Sequence, residues 1–405
     1  MADQPVKLVH ITTIPETLYF LTGQVGFMKS RGLEVHAISS PGDALEKFGH
    51  QEGIAVYAVD MPRRITPLRD LIAIGRLWRT LRAIRPQIVH ANTPKGGLLG
   101  IIAAWLARVP VRVYHVRGLP FVTATGAKRR LLRLSERISC LLATQVLSVS
   151  HTNRDVIIAE GLCSPHKIKV LLNGSSNGVN AVGRFNPDRV GPAARQEMRA
   201  RFNIPSGATV IGFVGRIVRD KGLVELAAAW TALREEFADL RLLLVGPFEP
   251  QDPVPEEVKT LLQTDERIHL SGMVEPGEMP AFYAAMDLLV LPTYREGFPN
   301  VPMEAAAMGL PVVASRVPGC IEAVEDGVTG TLVPVRDAAA LTEALRRYLA
   351  DPALRTRHGQ AGRARMLRDF APEALWHAQY QEYVALLERW GRGGQLADRT
   401  TSSID

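Results

Sequence analysis

Cysteine is scarce: Cys140, Cys163 and Cys320 are the only three in 405 residues, far apart and each in an apolar or helical setting. Disulfide frameworks and metal knuckles need paired or clustered cysteines, so neither is supported and a reducing cytoplasm is expected. Long apolar runs are missing as well, since the longest, Leu98 to Ala107, is too short to span a bilayer. The chain runs straight into a strand-like segment, Val6 to Thr12, without a charged-then-apolar leader, so no signal peptide is expected. Neither G-x-G-x-x-G nor G-x-x-x-x-G-K-[ST] occurs, which removes the dinucleotide fingerprint and the P-loop; Lys95 to Gly100 has the glycines without the spacing. Acidic charge is short in one half only. Residues 1–186 carry 24 Lys/Arg against 11 Asp/Glu, residues 187–405 carry 24 against 30, and residues 63–137 carry 16 against two, Asp70 and Glu136. Such a basic segment suits an anionic membrane surface, a phosphorylated substrate or nucleic acid. Its only aromatics are Trp78, Trp105, Tyr114 and Phe121, too few for a stacking platform, so no nucleic acid is expected.

What is present is regular. The length suggests two domains, and 46% hydrophobic with 22% charged residues is a globular composition. Strand-like runs (7–12, 33–39, 54–60, 87–92, 111–117, 145–150) alternate with helical patterns near 16–30, 67–85, 95–108, 126–143 and 151–161. The second half repeats the scheme with runs at 209–215, 240–246, 267–271, 287–292 and 311–315. Alternation of this kind predicts an α/β protein of two Rossmann-like, doubly wound parallel sheets. A Pro/Gly-rich linker near 184–206 divides residues 1–187 from 188–371. A final helix, 372–391, with Trp376, Tyr380, Tyr383 and Leu387 at helical spacing, is expected to dock on the N-terminal domain, and the Gly/Ser/Thr-rich residues 392–405 to be disordered.

Ligands of open α/β sheets bind beyond the carboxyl ends of the strands. The stretch Met286 to Arg316 places there a buried strand, a loop through Pro292 and Gly297, and a helix with Asn300 as its expected N-cap and Pro302 in its first turn. A helix start of this sort is a ready anion site. Glu304, in the first turn, also has a bland reading as a helix-dipole partner, but Glu296 lies in an apolar loop that offers no such reason. Two carboxylates beside an anion site suit a ligand with hydroxyls on both sides of a phosphate. After another strand, Gly215 permits close backbone approach, and Arg216 and Lys221 supply two cations in one loop, able to neutralise a diphosphate. The bland alternative is a solvated basic loop.

These residues resemble the retaining glycosyltransferases of the GT-B fold, family four. The resemblance covers nearly the whole chain. It is carried by Glu296-GFPNVPM-Glu304, the family's E-x7-E motif, by Gly215-Arg216 with Lys221-Gly222, by Gly272-Met-Val274, and by Pro318-Gly319 with Glu322 and Asp326-GVT-Gly330. It implies two domains facing a cleft and a nucleotide diphospho-sugar donor, here taken as UDP-linked, with no further cofactor. Glu296 would contact the donor sugar and Glu304 the ribose. Arg216 and Lys221 would hold the diphosphate, and Gly215, Val274, Gly297, Phe298, Asn300 and Val301 would complete the donor site. In the first half, Arg117 precedes Gly118 where the family has a histidine, and His115 lies two residues earlier; both enter as catalytic candidates. The segments Leu119-Pro120-Phe121 and Asn173-GSSNG-Val179 resemble members acting on polyprenyl-linked sugars, which implies a saccharide or lipid-linked acceptor in polysaccharide assembly. No D-x-D motif occurs, in keeping with metal-independent transfer. Two competing readings remain: a nucleotide-sugar epimerase or hydrolase of the same architecture, and a non-catalytic nucleotide or nucleic-acid binding protein exploiting the basic half.

The basic segment has two readings of its own. Arg130, Arg133 and Arg137 alternate with Leu131, Leu134, Ile138 and Leu142, and Arg69, Arg76, Arg79 and Arg82 surround Leu71, Trp78 and Leu81. Both stretches are amphipathic helices, either packed by the apolar stripe with a solvated basic face or lying on anionic lipid as a peripheral contact at the inner face of the plasma membrane. His10, His36 and His90 read as core or strand-end histidines.

Overall fold

Two compact units are present in the computed structural model, which describes residues 5–391: one runs to Asn177 and resumes at Pro372, the other is Gly178–Ala371. The division falls ten residues before the expected 187/188 because residues 179–186 are already tied to the second unit. The Val179 N–H donates to the Phe370 carbonyl at 2.9 Å, and Arg363 Nη2 donates to Asn186 Oδ1 at 2.8 Å. The expected disordered tail, 392–405, lies outside the described residues.

The first unit holds a seven-stranded parallel sheet: β1 (Val6–Ile11), β2 (Leu33–Ser39), β3 (Ala55–Ala58), β4 (Ile88–Asn92), β5 (Val111–Val116), β6 (Gln145–Ser148) and β7 (Ile168–Lys169), in the order β3-β2-β1-β4-β5-β6-β7. Strands β1, β4 and β5 are almost wholly buried, as parallel strands covered on both faces must be. Val9, Val89, Tyr114 and Val116 pack beneath the helices Pro67–Ile84, Pro94–Leu106 and Gly126–Leu142. Leu8, Ile88, Val111 and Val113 pack on the opposite side against Tyr380, Tyr383, Leu386 and Leu387 of the helix Pro372–Glu388. Two elements escaped the sequence reading. Strand β7 has two residues, too few for a period, and the helix Asp43–Glu52 is short and polar. The helix expected over 16–30 is instead a 3-10 turn, Pro15–Leu21, followed by a helix, Gln24–Ser30, separated at Gly23, whose φ is +80°.

The Gly126–Leu142 helix carries a buried carboxyl, Glu136, which accepts from the Tyr114 hydroxyl of β5 at 2.7 Å. Burial raises its pKa from 4.5 to about 7, against the pull of that hydrogen bond. A raised carboxyl pKa means the folded state keeps its proton while the unfolded chain ionises, so stability falls as pH rises from about 4.5 to about 7. Glu136→Gln is expected to remove this dependence. In urea unfolding at a series of pH values, its stability relative to the wild type should climb by roughly 3 kcal/mol across that window, and a flat difference would contradict the assignment.

The second unit holds β8 (Thr209–Val214), β9 (Leu240–Val245), β10 (Ile268–Leu270), β11 (Leu288–Leu291), β12 (Val312–Ser315) and β13 (Gly330–Val333), all parallel, in the order β10-β9-β8-β11-β12-β13. Strand β13 was not expected from sequence, its glycine and threonine diluting the apolar signal. The two central strands, β8 and β11, are pinned at their amino ends by Arg199 of the helix Pro187–Arg201. Its guanidinium donates to Asp287 Oδ2 at 2.8 Å, to the Ser206 and Ala208 carbonyls at 2.9 Å each and to the Ala285 carbonyl at 3.1 Å. Asp287 Oδ2 also accepts from the Val210 N–H at 2.7 Å.

Candidate functional site

The carboxyl ends of β8 and β11 bring the expected donor loops of the second unit together. Lys221, at the end of a 3-10 turn after β8, forms an ion pair with Glu296 Oε1 in the loop after β11, with 20% and 15% of the two side chains exposed. Beside them Asp220 stitches the same loops: its carbonyl accepts from the Tyr294 N–H at 2.9 Å, and its carboxylate accepts from Arg295 Nε at 2.8 Å. Two glycines make the approach possible. A Cβ on Gly222 (φ +75°) would sit 2.0 Å from the Pro292 carbonyl oxygen, and one on Gly319 (φ +79°) would sit 2.2 Å from that of Gly297. The Pro318-Gly319 loop is thereby laid on the Gly297-Phe298 backbone. Cys320, buried next to it, has its thiol pushed well above the usual range by burial and then by the Glu296 carboxylate.

Arg216 stands in the same loop as Lys221 and pairs with Glu249 at 2.7 Å, its side chain 40% exposed. Gly215 has φ +148°, and Val274 follows the Gly272 bridge to Gly246. The helix after the Glu296 loop is Asn300–Ala307, so Pro299 and not Asn300 occupies the cap position. The expected N-cap is displaced by one because Pro299 already has the extended backbone a cap requires. No side chain caps this helix, and Asn300 Oδ1 is a buried acceptor without a partner among the described residues. Val301 follows in the first turn. Glu304 does not face Lys221: its Oε2 accepts from the buried Tyr283 hydroxyl at 2.8 Å. Burial raises the Glu304 carboxyl, opposed by the Tyr283 hydrogen bond, and pushes Tyr283 well above its usual range. An uncapped helix start, two cations held by carboxylates and a hydroxyl-backed carboxylate can together bind a diphosphate and its flanking hydroxyls.

Sequence reasoning missed Glu249, Asp220 and Tyr283, which orient the expected residues. Only their positions after β9, within the basic loop and on a short apolar helix could have pointed to them, and none is a distinctive signal.

In the first unit, Arg117 Nε donates to Asn92 Oδ1 at 2.9 Å, and its Nη1 is buried without a partner among the described residues. Burial brings Arg117 down to about 10. His115 Nδ1 lies 3.0 Å from His90 Nε2. His10 and His90, read from sequence as core histidines, thus join the catalytic candidates in one cluster. Ser148, which ends β6, donates its hydroxyl to the Ser150 carbonyl at 2.9 Å, and Ser150 caps the next helix by accepting from the Asn153 N–H at 3.2 Å.

The basic segment departs from the expected packing. The helix Gly126–Leu142 buries Glu136, Ser139 and Cys140, while Leu131, Leu134 and Leu141 are 46%, 53% and 71% exposed. The helix Pro67–Ile84 likewise exposes Leu68, Leu71 and Ile72 at 78%, 66% and 56%. The apolar stripe is split: Leu142 packs on the core and Ile138 is half-buried, whereas Leu131 and Leu134 are turned outward, the sheet side of the helix at Glu136 being taken by its pair with Tyr114. Both acids of the segment are spoken for: Asp70 pairs with Lys95 at 2.7 Å, and Glu136 is buried. No helix among the described residues is long and apolar enough to cross a membrane.

Comparison with known proteins gives the same picture. Residues 208–351 match the family "Glycosyl transferases group 1" and residues 22–174 a "Glycosyl transferase 4-like domain". The capsular polysaccharide biosynthesis glycosyltransferase CapM of Staphylococcus aureus is 32% identical over 383 residues, spanning 94% of this chain and 98% of CapM. An Escherichia coli UDP-Gal:alpha-D-GlcNAc-diphosphoundecaprenol alpha-1,3-galactosyltransferase is 24% identical over 364 residues, or 86% of this chain and 89% of that enzyme. Anabaena HepE, solved with UDP and glucose, superposes with a TM-score of 0.77 at 20% identity, covering 94% of this chain and all of HepE, a likeness of fold alone. The fold is GT-B.

Proposed function

The chain belongs to the group 1 glycosyl transferases, and from that membership we propose a retaining, metal-independent transfer of a sugar from a UDP-linked donor to a lipid-linked saccharide during polysaccharide assembly. The observation that carries the donor side is the joining of the Lys221 and Glu296 loops beside an uncapped helix start. In this reading the acceptor hydroxyl oxygen bonds to the anomeric carbon on the face the diphosphate leaves. The carbon–oxygen bond to the diphosphate breaks, and the hydroxyl proton passes to the departing phosphate oxygen. Arg216, Lys221 and the first-turn amides of Asn300 and Val301 stabilise the charge that develops there. Glu296 orients the donor sugar and Glu304 the ribose, with Gly215, Val274, Gly297 and Phe298 forming the walls. The names of CapM and the E. coli enzyme favour transfer over an epimerase, hydrolase or simple binding protein.

The acceptor side rests on the outward-turned leucines among arginines, including Arg76, Arg79, Arg130 and Arg137, that form no ion pair among the described residues and suit peripheral contact with anionic lipid at the cytoplasmic face. One assay addresses both sides. Nucleotide diphospho-sugars and a polyprenyl-diphosphate saccharide in anionic vesicles are expected to give a product that keeps the donor's anomeric configuration, at a rate unchanged by a chelator. An inverted product, or donor consumed without acceptor, would contradict the transfer reading. In flotation at low salt, Arg76→Glu with Arg79→Glu should weaken vesicle binding at least 20-fold, at about 1 kcal/mol for each basic residue lost. Binding indifferent to acidic lipid would remove the membrane contact.

A further inference from the structure

Three imidazoles line up across the centre of the first unit's sheet near its carboxyl end: His10 on β1, His90 on β4 and His115 on β5, with ring centroids 5.1 Å apart at each step. The register sets His10 opposite His90, and His115 two residues beyond Val113, the partner of His90, so the three side chains leave one face. The helix Pro372–Glu388 covers that face and sends Tyr383 and Gln379 into the cluster.

The hydrogen bonds form one directed chain. Gln379 Nε2 can only donate, and it reaches the Tyr383 hydroxyl at 2.7 Å. His90 Nδ1, 2.5 Å away, is the hydroxyl's one other partner among the described residues, so in this buried place the hydroxyl's own proton is satisfied only by donating to it. A neutral imidazole carries one N–H, so with Nδ1 accepting, His90 holds its proton on Nε2 and donates it to His115 Nδ1 at 3.0 Å. His115 must therefore carry its own proton on Nε2, an atom with no protein hydrogen-bond partner among the described residues and not one of the enclosed, unpartnered atoms, so it is open to solvent or ligand. The rings are held neutral: burial lowers His90 and His115 well below the usual range and His10 to about 3, with the Arg117 cation adding to each. A packed histidine needs no such chain, and this one ends on a solvent-accessible donor without a protein partner among the described residues, where α/β sheets receive their ligands.

We propose that the helix Pro372–Glu388 sets the tautomer of His115 through Tyr383 and His90, so that its Nε2–H stands ready as a hydrogen-bond donor to a sugar or phosphate oxygen of the transfer reactants. The choice of ligand rests on the transferase reading; the relay does not. Tyr383 and His90 are positioning residues in this scheme.

The test is nitrogen NMR of the histidine rings in the full chain, with kinetics on the same samples. In the wild type, His90 and His115 should both carry the proton on Nε2. In Tyr383→Phe both rings should become tautomer mixtures, and turnover should drop about tenfold at unchanged donor KM, the scale of one lost hydrogen bond. Gln379→Leu, which frees the hydroxyl to turn, should give the same ring signature if Tyr383→Phe fails to fold. A wild-type His115 protonated on Nδ1, or ring signals unmoved in both variants, would overturn the relay. Altered tautomers with undiminished turnover would overturn the part of His115 in transfer. A wild type that transfers no sugar would instead count against the transferase reading while the NMR still reads the relay.

Discussion

Lys221→Ala is expected to lower sugar-transfer turnover by roughly 10²–10³-fold, the usual cost of removing one preorganised charge from a developing anion. The substitution takes away a cation fixed in place before any donor arrives: its ammonium is held by Glu296, and the loop behind it is locked by Asp220 to Tyr294 and Arg295. Because the ion pair is only partly buried, its loss should change folding stability little, by about 1 kcal/mol. A fall in turnover at a nearly unchanged melting temperature separates a functional cation from a structural one. Glu296→Ala should fall in the same range by releasing both the donor-sugar contact and the position of Lys221. Near-wild-type turnover in either variant would contradict the donor-site assignment, and a tenfold loss limited to KM would move these residues from charge stabilisation to simple binding.

Arg199→Met is expected to destabilise the fold by roughly 3–5 kcal/mol, the range for breaking a buried charged network by removing one partner. Arg199 is 3% exposed and serves an acid and four carbonyls from two segments, 205–208 and 285–287. Asp287 would keep Arg195 at 2.7 Å and the Val210 N–H, which holds the loss below that of an abandoned charge. The Ser206, Ala208 and Ala285 carbonyls would have no replacement donor. The consequence reaches the site, since Arg199 and Asp287 fix the amino ends of β8 and β11, whose carboxyl ends carry Lys221 and Glu296. Urea unfolding measures the effect, and a midpoint shift worth less than about 1 kcal/mol would show that the network relaxes around the gap.

Much of this was readable from the chain. Continuous apolar runs marked the long parallel strands because both faces of such strands are buried, whereas β7 and β13 were too short or too polar to register. The E-x7-E spacing and the Arg216–Lys221 loop pointed to two loops that the structure brings together, but not to Lys221 holding Glu296 while Glu304 turns to Tyr283; those partners lie 75 and 21 residues apart and are chosen by strand order. The histidine cluster was hidden for the same reason. His10, His90 and His115 look alike in sequence until strand register sets them side by side and the last helix brings Tyr383 over them. Amphipathic spacing in residues 126–142 gave a helix correctly but left open where its leucines go, because periodicity defines a stripe and cannot say whether core or lipid receives it: Leu131 and Leu134 face outward while Leu142 packs on the core.

Donor binding by the second unit is the claim on which the rest depends, and a thermal-shift titration of nucleoside-diphosphate sugars against the wild type and Lys221→Ala tests it most directly. A ligand that binds only the folded chain stabilises it by about 2.7 kcal/mol at 100 times its dissociation constant. The account predicts a rise of that order for at least one UDP-sugar with the wild type, and its loss in Lys221→Ala. No stabilisation by any nucleoside-diphosphate sugar, or an equal rise in both proteins, would contradict it.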